Sequence, residues 1–114
     1  MEPRPRKIQR YTTVEGKVPF YDWLKSLREV KLQTIINKRL DRLSLGNFGN
    51  YKSVGAGVYE LRINYGAGYR IYFGLAGAIV VILLCGGDKH TQERDIRKAK
   101  EYWNDYKKRT SPGK

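Results

Sequence analysis

Cysteine and histidine are nearly absent from this 114-residue chain, which has one of each, Cys85 and His90. A lone cysteine cannot form an internal disulfide, and one cysteine with one histidine is too few for a Cys/His zinc site. The sequence therefore excludes a disulfide framework and predicts neither a metal nor a cofactor. A chain without disulfides is typical of the cytoplasm, and we expect that compartment.

Long hydrophobic runs are also lacking. The longest, residues 78–85, is far shorter than the roughly 20 apolar residues that span a bilayer. Residues 1–10 carry charges and two prolines without an apolar run, so they do not resemble a secretory signal. We expect no membrane partner, and residues 78–85 are predicted to form a buried strand.

Acidic residues are few beside basic ones, because 11 Asp and Glu stand against 23 Lys and Arg, for a net charge of +12. Such an excess favours a polyanionic partner such as nucleic acid, an acidic protein or an anionic membrane surface. The hydrophobic fraction of 40% is enough for a core, so we expect one folded domain over residues 1–114. Its polar ends, residues 1–7 and 107–114, are predicted to fray.

Helical spacing dominates the N-terminal half, after a first strand predicted at residues 8–14. Two apolar stripes recur at this spacing, Phe20, Trp23, Leu24 and Leu27, and then Leu32, Ile35, Ile36, Leu40 and Leu43. Pro19 fits the first turn of one helix, and Gly46 can end the other in a left-handed conformation. The two stripes predict a helical hairpin.

Further along the chain the apolar period changes to two. Apolar and polar residues alternate over residues 59–63 and again over residues 69–73, which predicts a β-hairpin. A turn at residues 76–77 then leads into the strand predicted at residues 78–85, which we expect to be central and covered on both faces. These strands predict an antiparallel meander.

The remaining segments complete a predicted α+β fold. Residues 46–57 contain four glycines and are predicted to form a loop that carries Lys52. Thr91 is a candidate N-cap for a last helix, whose apolar stripe contains Ile96, Ala99, Trp103 and Tyr106. The predicted architecture is an antiparallel sheet with an N-terminal helical hairpin and a C-terminal helix.

Two arginines are predicted to face each other on this sheet. If residues 64–68 close symmetrically about Gly66, Arg62 stands opposite Arg70 on one face of the hairpin. Like charges directly opposite on a sheet are destabilising by up to about 1 kcal/mol, so an uncompensated pair favours an anion site. The alternative is that Glu60 or carboxylates near the C-terminus neutralise the pair.

The second turn of the meander brings residues 86–90 to the same end of the sheet. Gly86 and Gly87 would allow close backbone approach, and the N-terminus of the last helix adds partial positive charge. A phosphate group is a ligand that suits such a cluster. The alternative is a flexible loop that carries cations, because the string GGDK is not a Walker-type loop.

Three segments resemble a known family: PFYDWLKSL, RLDRLSLGNFGNYKSVGAGVYELRINYGAGYRIYF and VVILLCGGDKHTQERDIRKAKEYW. Together they cover most of residues 10–106 and resemble the RelE/ParE toxin superfamily, specifically its HigB-like, phage-derived Gp49-like branch, often labelled addiction module killer protein. The resemblance implies a small α+β toxin of the architecture predicted above. It also implies a cognate antitoxin, usually of helix-turn-helix type, that holds the toxin inactive.

Members of this superfamily differ in their targets. RelE- and HigB-type toxins cut mRNA in the ribosomal A site, whereas ParE-type toxins poison DNA gyrase, and the fold does not separate these outcomes. The sequence favours the toxin of a type II toxin-antitoxin system that acts as a metal-independent endoribonuclease on ribosome-bound mRNA. The alternatives are a non-enzymatic, ParE-like DNA gyrase inhibitor and a noncatalytic module that binds RNA or the ribosome.

Metal-free RNA cleavage needs a base, an acid and cations, because the ribose 2′-OH attacks the adjacent phosphate and charge develops there. The planar forks of Arg62 and Arg70 suit the cation role, and both match arginine positions of the family, in YELR and GYR. Lys89 matches the basic residue after the last strand. His90 is either the proton carrier, since histidine changes protonation near neutral pH, or merely a loop residue.

Further candidates would hold the RNA strand. Lys52 supplies positive charge, and Tyr72, predicted on the arginine face, stacks on a splayed base or else packs in the sheet. Some mRNA-cutting relatives complete their site with a C-terminal histidine or tyrosine, for which only Tyr102 and Tyr106 are available here. The predicted catalytic residues are thus Arg62, Arg70, Lys89 and His90, and the predicted RNA-binding residues are Lys52 and Tyr72.

Overall fold

The computed structural model describes residues 4–111 and has an α+β architecture, as predicted. The elements in chain order are β1 (Lys7–Arg10), α1 (Pro19–Ser26), α2 (Val30–Ser44), β2 (Tyr51–Gly55), β3 (Val58–Ile63), β4 (Tyr69–Ala76), β5 (Val80–Asp88) and α3 (Gln92–Thr110), with a single 3-10 turn at Lys89–Thr91. No helix in this part of the chain is long and apolar enough to cross a membrane.

The strands form one five-stranded sheet in the order β1-β5-β4-β3-β2. Strands β2 to β5 pair antiparallel as a meander, as predicted. Strand β5 lies inside the sheet between β1 and β4, but the middle strand of the five is β4 and not β5. The prediction of a purely antiparallel sheet is wrong at the other edge, where β1 pairs parallel with β5. The first strand also ends at Arg10 rather than at residue 14, because Thr13 and Lys17 close a turn through a 2.7 Å backbone hydrogen bond.

Helices α1 and α2 cover one face of the sheet. Pro19 opens α1, and Gly46 follows the end of α2 with φ of +89°, as the sequence predicted. The core beneath them contains Phe20, Leu32, Ile36, Leu43, Leu61, Ile71, Phe73, Val81 and Leu83. The predicted helical hairpin is matched only in part, because a short strand precedes the two helices and both pack on the sheet.

Helix α3 covers the opposite face and creates a second core. Its buried apolar residues include Val58, Tyr72, Ile82, Leu84, Ala99 and Trp103. Thr91 precedes α3 as predicted, but its hydroxyl donates to Asp95 (2.5 Å) instead of capping the helix. The side chain of Asp88 accepts a hydrogen bond from the backbone N–H of His90 (2.8 Å) and caps the 3-10 turn.

The prediction of a loop over residues 46–57 is wrong in its second half, where β2 forms an edge strand. Ala56 and Gly57 connect β2 to β3 as a two-residue turn with φ of +56° and +82°. Positive φ at both positions is typical of the type I′ turn that joins tightly twisted strands. Gly55 therefore belongs to the strand end and Gly57 to the turn, and Lys52 lies on a strand.

The two ends of the described chain are part of the fold. Lys7 begins β1, and α3 continues to Thr110. The hydroxyl of Tyr11 donates to Asp105 (2.6 Å), and Arg109 donates to the same carboxylate (2.9 Å), which ties the last turns of α3 to the residues after β1. Fraying was predicted at residues 1–7 and 107–114; Lys7 and residues 107–110 belong to β1 and α3, and residues 1–3 and 112–114 lie outside the described residues.

Candidate functional site

Arg62 and Arg70 stand directly opposite each other on β3 and β4, as the symmetric closure of residues 64–68 predicted. The backbone of Arg62 is fixed on two sides. Its N–H donates to the carbonyl of Asn50 (2.9 Å), and its carbonyl accepts a hydrogen bond from Arg39 of α2 (2.6 Å). The two arginines therefore share one end of the sheet on rigid strands.

The face that carries these arginines is only partly open to solvent, because the first turns of α3 lie over part of it. Arg70 is 9% exposed. The side chain of Arg62 is 43% exposed. One arginine of the pair is therefore buried and the other is accessible, a difference that the strand register alone does not predict.

Glu60 lies between the two arginines and is fully buried. Its Oε1 atom is 3.6 Å from Nε of Arg62, and its Oε2 atom is 3.7 Å from Nε of Arg70. These are ion-pair distances but too long for hydrogen bonds. Glu60 thus compensates the like-charge pair, which was one of the two alternatives open from the sequence, and one positive charge of the three groups remains in excess.

Tyr72 and Gln92 hold the carboxylate of Glu60. The Tyr72 hydroxyl donates to Oε2 (3.0 Å), and the Gln92 amide, at the start of α3, donates to the same oxygen (2.7 Å). Burial, together with the charge of Glu60, raises the pKa of Tyr72. The tyrosine lies on the arginine face as predicted and is fully buried, which favours the alternative that it packs in the sheet over the one that it stacks on an RNA base.

Several buried polar atoms of this cluster have no hydrogen-bond partner within residues 4–111: Glu60 Oε1, Arg62 Nε, Arg70 Nε and Arg70 Nη1. A buried donor left unpaired costs about 1 to 3 kcal/mol, and a charged one costs more. An oxyanion that accepted these N–H groups would recover that free energy. Within the same part of the chain, no group of three or more His, Cys, Asp or Glu side chains is placed to hold a metal ion.

Lys89 and His90 follow the strand that pairs with Arg70. Arg70 is opposite Gly87, and the backbone N–H of Lys89 donates to the carbonyl of Gly68 (3.2 Å). The two residues line an open surface cavity of about 580 Å³ together with Thr91, Gln92, Glu93, Arg94 and Arg97. The cavity is mainly basic, and Gln92 connects it to Glu60.

Gly86 and Gly87 belong to β5, so the alternative of a flexible loop does not hold for these two residues. A Cβ at Gly86 would lie 2.2 Å from the ring of Trp23 in α1. A Cβ at Gly87 would lie 1.8 Å from the carboxylate of Asp95 in α3. The two glycines therefore let helices approach both faces of the sheet, which corrects the prediction that they make room for a phosphate.

Lys52 lies on β2 opposite Glu60 and is exposed. Residues that pair directly across strands share a face of the sheet, so Lys52, Glu60 and Tyr72 form one row across β2, β3 and β4. This row is next to the row that contains Arg62 and Arg70. Lys52 therefore extends the basic face toward the sheet edge.

Tyr102 and Tyr106 are engaged elsewhere on α3. The ring of Tyr102 stacks on Tyr11 with 5.0 Å between centroids, and Tyr106 stacks on Trp103 at 5.4 Å. Both lie more than two turns beyond Gln92, where α3 enters the arginine cluster. Neither tyrosine reaches the candidate site through the contacts it makes.

Sequence reasoning missed two residues that build the site, Gln92 and Arg39. Arg39 bridges the carbonyls of Arg62 and Phe48, and burial, with the nearby charge of Arg42, lowers its pKa. An arginine at the edge of an amphipathic helix resembles a solvated residue in the sequence. The sequence distinguishes Arg39 only by its position off the apolar stripe of α2, which does not indicate a contact with the sheet.

Comparison with known proteins gives two matches. The family model described as "Phage derived protein Gp49-like (DUF891)" matches residues 22–104. An uncharacterized protein of Haemophilus influenzae (strain ATCC 51907 / DSM 11121 / KW20 / Rd) is 47% identical over 87 residues, which are 76% of this chain and 88% of that protein. The family match includes β2 to β5 and hence both arginines.

Proposed function

The chain belongs to the phage-derived Gp49-like protein family (DUF891), and from that premise we propose that it is the toxin of a type II toxin-antitoxin system that cleaves ribosome-bound mRNA. The observation that carries the proposal is the pair of facing arginines, Arg62 and Arg70, with N–H groups that residues 4–111 leave unpaired. The net charge of +12 suits an RNA partner and the ribosome.

In the proposed reaction the 2′-OH of a ribose attacks the adjacent phosphorus, and the bond to the 5′ oxygen of the next nucleotide breaks. The 2′-OH loses its proton and the leaving 5′ oxygen gains one, so the products are a 2′,3′-cyclic phosphate and a 5′-OH end, and no water is consumed in this step. Arg62 and Arg70 bind the phosphate oxygens, on which negative charge grows in the transition state. Two guanidinium forks suit this task better than ammonium groups because their planar N–H pairs match oxyanion geometry.

The other predicted residues have supporting roles in the proposal. His90 is the proton carrier, because it is exposed and lines the cavity next to the strand end that pairs with Arg70. Lys89 and Lys52 bind backbone phosphates on the two sides of the arginine pair. Tyr72, which the sequence suggested as an RNA-binding residue, instead holds Glu60 in this proposal through its hydroxyl.

The test is transcriptome-wide mapping of 5′-OH ends shortly after induced expression, with Arg62→Ala beside the natural chain. Arg62 is the better first variant because it is half-exposed, whereas removal of Arg70 strips a buried partner from Glu60. Arg28→Ala removes the same charge at an exposed position between α1 and α2 and serves as the control. We expect new ends inside translated frames, at least about tenfold fewer with Arg62→Ala, and no change with Arg28→Ala.

The same cells distinguish the alternatives. A well-folded Arg62→Ala chain that produces undiminished 5′-OH ends would remove this arginine from the mechanism. DNA breaks without new RNA ends would instead identify a gyrase inhibitor, and salt-sensitive ribosome binding without either would identify a binding module. The proposal includes a cognate helix-turn-helix antitoxin, and co-expression of that antitoxin should suppress the new ends.

A further inference from the structure

We propose that Glu60 is a positioning residue for RNA cleavage, whose carboxylate orients both guanidinium groups so that their terminal N–H groups meet one phosphate. This inference rests on the proposed function. It assigns to Glu60 more than the neutralisation of a like-charge pair. In one role Glu60 supplies only a negative charge beside the two guanidinium groups, and in the other its carboxylate also fixes their orientation.

The carboxylate contacts both arginines from the same side of their guanidinium groups. Each oxygen faces a different Nε atom, Oε1 that of Arg62 at 3.6 Å and Oε2 that of Arg70 at 3.7 Å. Nη1 of Arg70 has no hydrogen-bond partner within residues 4–111. Contact at the Nε side fixes the direction of each fork and leaves terminal amino groups for a ligand oxygen.

Glu60 is itself immobilised. It has no exposed surface, and its Oε2 atom accepts hydrogen bonds from the Tyr72 hydroxyl (3.0 Å) and the Gln92 amide (2.7 Å). Tyr72 comes from the neighbouring strand, and Gln92 comes from the first turn of α3. A surface carboxylate would screen the arginines while moving freely, but this one transmits the packing of α3 to both forks.

Direct participation of Glu60 in proton transfer does not fit its surroundings. A general base must come within hydrogen-bond reach of the substrate hydroxyl. Oε2 is occupied by two donors, and Oε1 faces Nε of Arg62 at 3.6 Å. The carboxylate therefore acts on the phosphate only through Arg62 and Arg70.

Two variants separate geometry from charge. Glu60→Asp keeps the charge but shortens the side chain, whereas Glu60→Gln keeps the length but removes the charge. The readout is single-turnover cleavage of mRNA on purified ribosomes at saturating protein. We expect both variants to lower the cleavage rate constant by at least about tenfold, since misplaced catalytic groups have effects of this size or larger. Glu101→Gln, on the exposed side of α3, is the control and should cleave normally.

A second readout needs no RNA. In the free protein, NMR of the arginine Nε–H groups reports how each guanidinium is held. In the natural chain we expect the signals of Arg62 and Arg70 outside the range of freely exposed arginines. Both Glu60 variants should move them toward that range while the amide spectrum of the sheet is kept.

The outcomes decide between the roles. If Glu60→Asp cleaves at the natural rate and leaves the Nε signals in place, Glu60 supplies charge alone and the inference is overturned. If either Glu60 variant does not fold, Tyr72→Phe decides, because it removes one hydrogen bond to Glu60 and keeps every charge. With Tyr72→Phe we expect a shifted Arg70 signal and about threefold slower cleavage. If neither the signal nor the cleavage rate changes, the inference is overturned. If the natural chain does not cleave RNA at all, the proposed function fails while the NMR result still tests the orientation of the arginines.

Discussion

At the scale of single residues, the approach of α1 to the sheet depends on the missing side chain of Gly86. The Trp23 ring occupies the space of a Cβ, which would lie 2.2 Å away, and no left-handed conformation is involved at this glycine. Any penalty for a larger residue is therefore steric. A close-packed interior yields little at such a contact.

We therefore predict that Gly86→Ala lowers the free energy of unfolding by about 1 to 3 kcal/mol, as overpacking does elsewhere. Urea denaturation measures the loss. The control is the same substitution in a Trp23→Leu chain, which lacks the large ring. There Gly86→Ala should lower the free energy of unfolding by at least about 1 kcal/mol less, because the effects of substitutions at contacting residues are not additive. Equal losses in both backgrounds would show that the ring is not the cause.

The sequence correctly predicted which residues face each other where the closure of a turn determines the strand register. The five residues between Ile63 and Tyr69 fix the register, and the facing of Arg62 and Arg70 follows from it. The burial of Arg70 does not follow, because it comes from α3, whose Gln92 meets Glu60 across 32 positions of sequence. Alternation along a strand cannot indicate which helix will cover a face. The functional roles of the candidate residues stay predictions.

At the scale of elements, β2 shows why a short edge strand is hard to predict. It is five residues long, mostly exposed, and enclosed by glycines at positions 49, 55 and 57. A half-solvated strand has little apolar alternation, so local composition indicates a loop. The helices and β5 were predictable because they bury wide apolar faces.

The turn after β2 contains a strained residue. Ala56 has φ of +56° and is the one non-glycine residue with positive φ within residues 4–111. Asparagine tolerates this conformation better than alanine, and Asn-Gly is the preferred pair for the turn. We predict that Ala56→Asn raises the free energy of unfolding by up to about 1 kcal/mol, measured by urea denaturation. Ala67→Asn, in a loop without positive φ at that residue, should give no gain, and an equal gain there would contradict the explanation.

At the scale of the whole molecule, buried hydroxyl and thiol groups limit stability in alkali. Burial raises the pKa of Tyr11 from 10.0 to about 12, and burial with the nearby charge of Asp95 raises that of Cys85 from 9.0 to about 12. The pKa of Tyr72 is raised as well. Above pH 9 the unfolded chain therefore loses protons that the folded chain keeps, and stability that is complete below pH 9 declines as the pH rises.

We predict that the free energy of unfolding falls between pH 9 and pH 11, with each such group contributing a slope of up to about 1.4 kcal/mol per pH unit. The measurement is urea denaturation at a series of pH values. Cys85→Ala should reduce the slope between pH 9 and pH 10, even though its smaller side chain lowers stability at every pH. An unchanged slope would mean that the thiol does not keep its proton in the fold.

The parallel pairing of β1 with β5 also gives the polypeptide an order of assembly during synthesis. Lys7 pairs with Val80 and Arg10 with Leu83, so β1, which is made before the other four strands, has no partner until β5, the last of them, has been made. Helix α1 packs on β5 as well, and α3, which closes the arginine face, is made after it. Chains that terminate before β5 therefore lack both an interior strand of the sheet and the helix that covers the candidate site, and on the proposed function a translation inhibitor becomes harmful only once α3 has been made.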